Sequence, residues 1–334
     1  MKTSLRFAVL MGLLAATAII ASAQYEGELT AKRRLFPELG AGLRAVKIGP
    51  GDKLYVLSSL GLIVFDAKEH KLMTIGSSAP APATAASKTA PAAPTFDEDF
   101  DVDASGQIYV ADRAANLIAI YAAEGSRLRS FPVNAPLSVA ALPDGEVAVA
   151  TLRDPHLVTV FDKNGREIRE FGEIEDISDR ADLNRYLNTG YLASNIHGDI
   201  LYGFIFTPEP TVRQFDRNGY ATQTIQFTEI DAFASAQAAR KEIERQEHKG
   251  KQPVFKPILT AVGVAPTGEV WIALHNRLLR FDKDGNRKAT YQLYTPDGTR
   301  LDATAILIQK DRILIGSDPQ GVFEFDRPDT KLEQ

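Results

Sequence analysis

Three observations in the sequence predict an all-β chain folded as a six-bladed β-propeller of four-stranded antiparallel blades, with a short helical insertion. Phe-Asp recurs at the end of successive apolar segments, as Phe65-Asp66, Phe161-Asp162, Phe215-Asp216, Phe281-Asp282 and Phe325-Asp326, with Tyr121-Ala122 in a sixth such slot. The interval from the first turn glycine of a unit to its aromatic-Asp pair stays narrow, from 13 residues (Gly268 to Phe281) to 17 (Gly198 to Phe215). The intervening stretches are short, alternating or wholly apolar, and bounded by Gly, Pro, Asn and Asp, which is strand patterning and not helix. One supersecondary unit written six times, with four strands in each copy, closes into a ring of blades around a central channel.

The elements follow in order. Lys2 and Arg6 precede an apolar run over residues 7–20, and Ala21-Ser22-Ala23 then offers a small-x-small cleavage site before Gln24. Residues 1–23 therefore read as a secretory signal, which predicts a periplasmic or secreted protein with no membrane association after cleavage. Residues 24–334 form a single propeller, with blades starting near residues 44, 97, 137, 192, 260 and 303. The third unit is the cleanest: strands over 137–142, 146–151, 156–161 and 167–171 are separated by Pro143-Asp144-Gly145, a loop, and Asp162-Lys163-Asn164-Gly165. Asn164-Gly165, Asn218-Gly219 and Asp284-Gly285 supply the positive backbone angles that tight hairpins demand. Trp271 holds the place of Tyr55 and Tyr109 in other units and is expected in the blade core. Little chain follows Phe325-Asp326, so residues 25–29 are expected to supply the outer strand of the sixth blade and remove an open edge.

Three insertions break the period. Residues 77–95 are low-complexity Ala, Pro, Ser and Thr with no means of burying a core. Residues 173–191 run from acidic to aromatic. Residues 229–254 are predicted to be helical from about 230 to 248, rich in Ala, Glu, Lys, Arg and Gln and stopped by Lys251-Gln252-Pro253.

Composition excludes several functions. A net charge of −5 leaves no basic face for nucleic acid. The absence of Cys removes disulfides, thiolate catalysis and Cys-based metal sites together. No Gly-x-Ser-x-Gly elbow and no phosphate-binding Gly-rich loop is present, since the glycines belong to the repeated turns. A monomer is expected.

Unit two, FDVDASGQIYVADRAANLIAIYAAEGSRLRSF, carries a strand, an Asp-x-x-Gly turn, an IYVAD strand and an Asn-containing loop. In this it resembles the NHL family of propellers. Units three to five keep the hydrophobic-Phe-Asp-x-x-Gly hairpin and lose the VAD…N segment. The resemblance covers most of residues 24–334 and implies architecture more than activity, because such propellers serve as scaffolds, binding proteins and occasional enzymes. Propeller ligands sit at one channel mouth, and the repeat maps Asp99, Arg113, Asn116, Arg153, His156, His275, Asn276 and Asp318 to loops or strand starts there. These are the candidate binding residues, for a protein or a small polar ligand. No catalytic residue and no cofactor is assigned. Calcium is the cation that oxygen ligands such as Asp97, Glu98, Asp99 and Asn116 would suit, as in lactonase-type six-bladed propellers. The three-His zinc site of amidating-lyase relatives is not reproduced, since only His156 and His275 occupy comparable loops. The sequence thus reads as an exported binding or scaffolding module, weighing against an enzyme. The alternative is a metal-dependent, lactonase-like hydrolase or lyase with its site in the central channel.

Overall fold

Four of the five Asp residues of the repeated pair, Asp66, Asp162, Asp216 and Asp282, each close a turn, and those turns mark the blades. Asp162 Oδ1 accepts the N–H of Asn164 at 2.8 Å and of Arg166 at 2.9 Å. The same two bonds, to the second and fourth residues on, recur at Asp66, Asp216 and Asp282. A short side-chain carboxylate thereby replaces backbone partners that the turn leaves out. The Phe half of the pair points inward: Phe65, Phe215, Phe281 and Phe325 are at most 3% exposed. Gly165 in the same turn has φ +78°, and a Cβ there would lie 2.5 Å from Phe131 of the preceding blade. Phe131 also packs on Phe161, with ring centroids 5.1 Å apart. The motif therefore sets the turn within a blade and the contact between blades.

This computed structural model describes residues 25–39, 41–76, 98–152, 154–227, 234–249 and 255–328. Residues 1–23, expected to be a secretory signal, the low-complexity segment 77–95, Asp97 and Arg153 lie outside the described residues. Six antiparallel sheets result, as the repeat implies. Their innermost strands are Ala45–Gly49, Asp99–Val102, Pro136–Ala141, Gly190–Ser194, Ala261–Val264 and Ala305–Ile308. Each touches the next, and Ala305–Ile308 touches Ala45–Gly49, so the ring closes around a central channel. Apolar clusters fill the spaces between adjacent blades, as where Phe325 and Ile313 pack with Ala261 and Tyr291. Trp271 is fully buried, stacked 6.2 Å from Tyr291 with the Arg280 guanidinium 5.6 Å over its ring.

Closure differs from the sequence expectation. Two amino-terminal strands are present, β1 (Tyr25–Thr30) and β2 (Arg33–Leu35). It is β2 that completes blade six, pairing antiparallel with Gly321–Asp326. β1 instead adds a fifth, parallel strand to blade five beside Arg287–Tyr294. The chain crosses between them at Ala31 and Lys32, whose N–H groups bond Tyr294 O of blade five and Glu324 O of blade six. The physical reason lies just beyond β2. Leu35 and Phe36 are 2% and 5% exposed, and Phe36 stacks 3.8 Å from Phe65 of blade one. Apolar burial at 35 and 36 fixes which segment seals the ring, and residues 25–29 offer nothing comparable.

Two helices interrupt the strands. α1 (Ala181–Leu187) lies in the insertion between blades three and four, where no helix is expected from the sequence. α2 (Ala234–Lys249) lies between blades four and five. They meet through Leu183, Leu187 and Ile243, which cluster with Phe206 and Phe255. Arg180 Nη1 donates to the Gln246 carbonyl at 2.7 Å, and Arg240 pairs with Glu209. Among the described residues, no helix is long and apolar enough to cross a membrane.

Candidate site at the channel mouth

The inner strands of blades one to four are stitched together by polar side chains. Asp99 Oδ2 accepts the Ser138 hydroxyl at 2.5 Å and the Val139 N–H at 3.2 Å. Ser138 Oγ in turn accepts the N–H of Leu192 at 2.9 Å. Two residues further along, Asp101 Oδ2 accepts the Ala141 N–H at 2.8 Å, and the Ser194 hydroxyl donates to the Ala141 carbonyl at 3.1 Å. Lys47 of blade one brings its Nζ to 3.9 Å from Asp101 Oδ1. Asp99, Ser138 and Tyr191 each lie three residues before the last paired residue of their strand (Val102, Ala141 and Ser194), so they occupy one level of the channel.

At the start of these strands the wall opens into a cavity of about 420 Å³, counted out to its mouth. Arg44 and Lys47 come from blade one, Glu98 and Asp99 from blade two, Tyr191 from blade four, and Thr260 and Thr304 from blades five and six. Their charges are coupled. Burial pushes the Asp99 carboxyl above the usual carboxylate range, and the Lys47 ammonium and the Ser138 bond offset this only in part. Burial works against the Lys47 charge, but Asp101 and Asp99 outweigh it and hold the ammonium protonated. The Tyr191 hydroxyl is pushed up to about 12, by burial first and by the Asp99 charge second. At neutral pH, Lys47 and Tyr191 are therefore donors, and Asp99 is a carboxyl group of raised proton affinity.

On helix α1, burial raises the Tyr186 hydroxyl, and the charge of Arg113, which pairs with Glu98 at 2.8 Å, offsets part of this. Tyr186 stacks on Phe206 at 4.8 Å and on Phe255 at 5.9 Å, and these rings anchor the insertion.

Of the residues the sequence nominates, the structure brings Asp99 into the cavity and Arg113 to its rim through Glu98. The others that are described are not among the residues lining it. Asn116 has φ +55° and accepts the Ala135 N–H on Oδ1 at 2.9 Å. His275 has φ +54°, its N–H bonds Thr260 Oγ1, and its carbonyl accepts the Ala303 N–H. The Asn276 carbonyl accepts from Leu293 N and from Gln292 Nε2. Asp318 Oδ1 accepts the Gly42 N–H at 2.6 Å. His156 opens strand His156–Phe161 with Nδ1 3.4 Å from a Glu170 oxygen. Arg153 lies outside the described residues. Arg44, Lys47 and Tyr191 are missed by sequence reading. Lys47 left one signal, as a charge within the otherwise apolar inner segment AVKIG.

Of the oxygen ligands that would suit calcium, Asp97 lies outside the described residues, Glu98 pairs with Arg113, and Asn116 Oδ1 accepts the Ala135 N–H. Asp99 and Asp101 are bonded to Ser138 and to backbone N–H groups, and the positive charge facing both is already that of Lys47. Among the described residues, no group of three His, Asp or Glu side chains could hold a metal ion.

No family model matches the sequence, and no curated protein matches it. Solved structures with the same fold are found. A gluconolactonase from Xanthomonas campestris is similar at 12% identity over 88% of this chain and 89% of that one, with a TM-score of 0.55. A catalytically inactive virginiamycin B lyase from Staphylococcus aureus, determined with quinupristin, is similar at 9% identity over 89% and 99%, with a TM-score of 0.54. A streptogramin B lyase is similar at 12% identity over 90% and 87%, with a TM-score of 0.52. At such identities the likeness shows the fold. It also corrects the weighing against an enzyme, which rested on propellers of this kind serving mainly as scaffolds: the same six-bladed frame carries lyases and a lactonase.

Proposed function

We propose that this protein is an enzyme, a hydrolase or lyase working at the mouth of the central channel on a small polar substrate. One observation carries this reading. A buried carboxylate, Asp99, shares a cavity with three cationic or hydroxylic donors, Arg44 and Lys47 of blade one and Tyr191 of blade four. Burying ionisable groups costs stability, and a raised carboxylate next to held donors is an arrangement that acid–base chemistry uses. Asp99 takes a proton, from water in hydrolysis or from a carbon acid in elimination. The electron pair moves onto a substrate oxygen, where Lys47 and Tyr191 donate hydrogen bonds to the developing charge. The proton held by Asp99 then passes to the leaving oxygen or nitrogen. Ser138 is a positioning residue, fixing the Asp99 carboxylate from the neighbouring blade.

The gluconolactonase and lyase neighbours support the reaction class, and the NHL-like wording of unit two accords with the frame. Lactonase-type propellers imply calcium, but each step above is carried by this chain's own side chains and none is routed through a metal. The secretory signal over residues 1–23 supports action outside the cytoplasm. The test is ring-opening of gluconolactone and of a panel of lactones and aryl esters, followed by pH-stat in excess chelator. Turnover that persists in chelator and falls about a hundredfold in Asp99→Asn supports the reading. No turnover across the panel, or turnover indifferent to Asp99→Asn, overturns it.

A further inference from the structure

Accounting for hydrogen bonds at the channel mouth identifies what a ligand must bring. The carboxylates are partnered: Glu98 with Arg113, Asp99 with Ser138 and Val139, and Asp101 with Ala141. Thr260 Oγ1 donates to the Ala273 carbonyl at 3.3 Å, and Thr304 Oγ1 to the Gly316 carbonyl at 3.3 Å. The donors differ. Among the described residues, the Arg44 guanidinium and the Tyr191 hydroxyl have no hydrogen-bond acceptor, and Lys47 Nζ comes no closer to a carboxylate than 3.9 Å. Arg44 and Tyr191 are close enough for the Arg44 charge to act on the Tyr191 hydroxyl, and Lys47 lies on the same cavity wall. Charge by itself does not distinguish the site, since Arg44, Lys47 and Arg113 balance Glu98, Asp99 and Asp101. The asymmetry is in hydrogen bonding: what lacks partners here is all donor. A ligand that displaces water from this mouth must supply acceptor oxygens to these three donors or leave them unmatched.

We propose that the channel mouth binds a small organic anion, through Arg44, Lys47 and Tyr191. The proposal rests on the channel reading above and narrows its substrate class to molecules bearing a carboxylate or phosphate. Arg44 offers a planar fork suited to a two-oxygen group, Lys47 a point charge deeper in, and Tyr191 a neutral donor across the channel. A neutral sugar or an amide offers these donors only uncharged acceptors, whereas a carboxylate or phosphate makes charge-assisted bonds with Arg44 and Lys47.

The experiment is calorimetric titration of the full chain with succinate, with inorganic phosphate and with 1,4-butanediol as the neutral isostere, all at one ionic strength set with sodium chloride. Succinate or phosphate binding, with no heat from butanediol, is the expected result, and the stronger of the two anions identifies the recognised group. Arg44→Gln is exposed and leaves the blades folded; it is expected to weaken binding about tenfold or more, and Tyr191→Phe to weaken it less. Binding no tighter than butanediol, or unchanged affinity in Arg44→Gln, overturns the proposal. The two readings fail separately. Anion binding without turnover of any lactone or ester sinks the enzymatic reading and leaves the anion site. Turnover of neutral lactones without anion binding does the reverse.

Discussion

Asp99 of blade two and Ser138 of blade three are joined by a 2.5 Å hydrogen bond, and the Ser138 oxygen also receives the Leu192 N–H of blade four. One hydroxyl thus links three inner strands at the level of the cavity. In Ser138→Ala the Asp99 carboxylate and the Leu192 amide each lose this partner inside the wall. Stability is expected to fall by about 1–3 kcal/mol, the cost of leaving buried polar groups unmatched. Urea unfolding followed by tryptophan emission measures it. An unchanged midpoint would show that the stitch is not needed.

Asp99 carries a pH signature whose sign is fixed. Its folded pKa is raised above the ordinary 3.8, chiefly by burial. Its contribution to stability is therefore fully present below 3.8 and is lost as pH rises through the raised value. Asp99→Asn keeps the shape and removes the buried charge. The variant is expected to match or exceed the parent in urea midpoint at pH 7.5, with the difference shrinking as pH falls toward 4. A variant less stable than the parent at pH 7.5 would argue that the charge of Asp99 holds the wall together.

The repeated turn carboxylates behave in the opposite way. Asp162 is held at about 2, chiefly by the Arg166 N–H. Asp66 and Asp216 are lowered by the His70 and Tyr220 N–H groups. At Asp282 burial opposes the shift, but the Asn286 N–H and its other partners prevail. These groups stabilise the fold above about 3.8, and the effect is lost as pH falls toward 2. The urea midpoint is expected to drop steeply over that window and less steeply when all four are changed to Asn. Equal slopes for parent and variant would place acid sensitivity elsewhere.

Ring closure depends on residues 35 and 36. Phe36→Ala removes a ring stacked 3.8 Å from Phe65 and leaves a cavity between blades six and one. A loss of about 3–5 kcal/mol is expected. Removing the exposed partner Arg33, whose side chain is 52% exposed and pairs with Glu69 and Glu324, should cost about 1 kcal/mol or less. Comparable losses at the two positions would mean that the ion pairs, and not apolar burial, seal the ring.

The fold was legible because its signals are local. The Asp of four of the five Phe-Asp pairs bonds N–H groups two and four residues on, and the alternation of a strand such as Val147–Thr151 is visible within five residues. The site was legible only where one residue announced itself, as the acid cluster around Asp99 did. Asn116, His275 and Asp318 looked equally polar in the same loops, yet the Asn116 and Asp318 side chains accept the Ala135 and Gly42 N–H groups and the His275 backbone bonds Thr260 and Ala303, which sequence alone does not distinguish from ligand binding. Tyr191 reads as an ordinary strand aromatic until the register places it level with Asp99. The choice of β2 over β1 for closure turns on contacts between Phe36 and Phe65, residues brought together only by the completed ring.

The measurement that bears most directly on the channel account is a crystal structure of the protein soaked with the tighter-binding anion, succinate or phosphate. The account predicts ordered ligand density at the mouth, within hydrogen-bond distance of Arg44, Lys47 and Tyr191 and beside Asp99. A channel without ligand density under saturating anion, or a ligand bound elsewhere on the propeller, would contradict it.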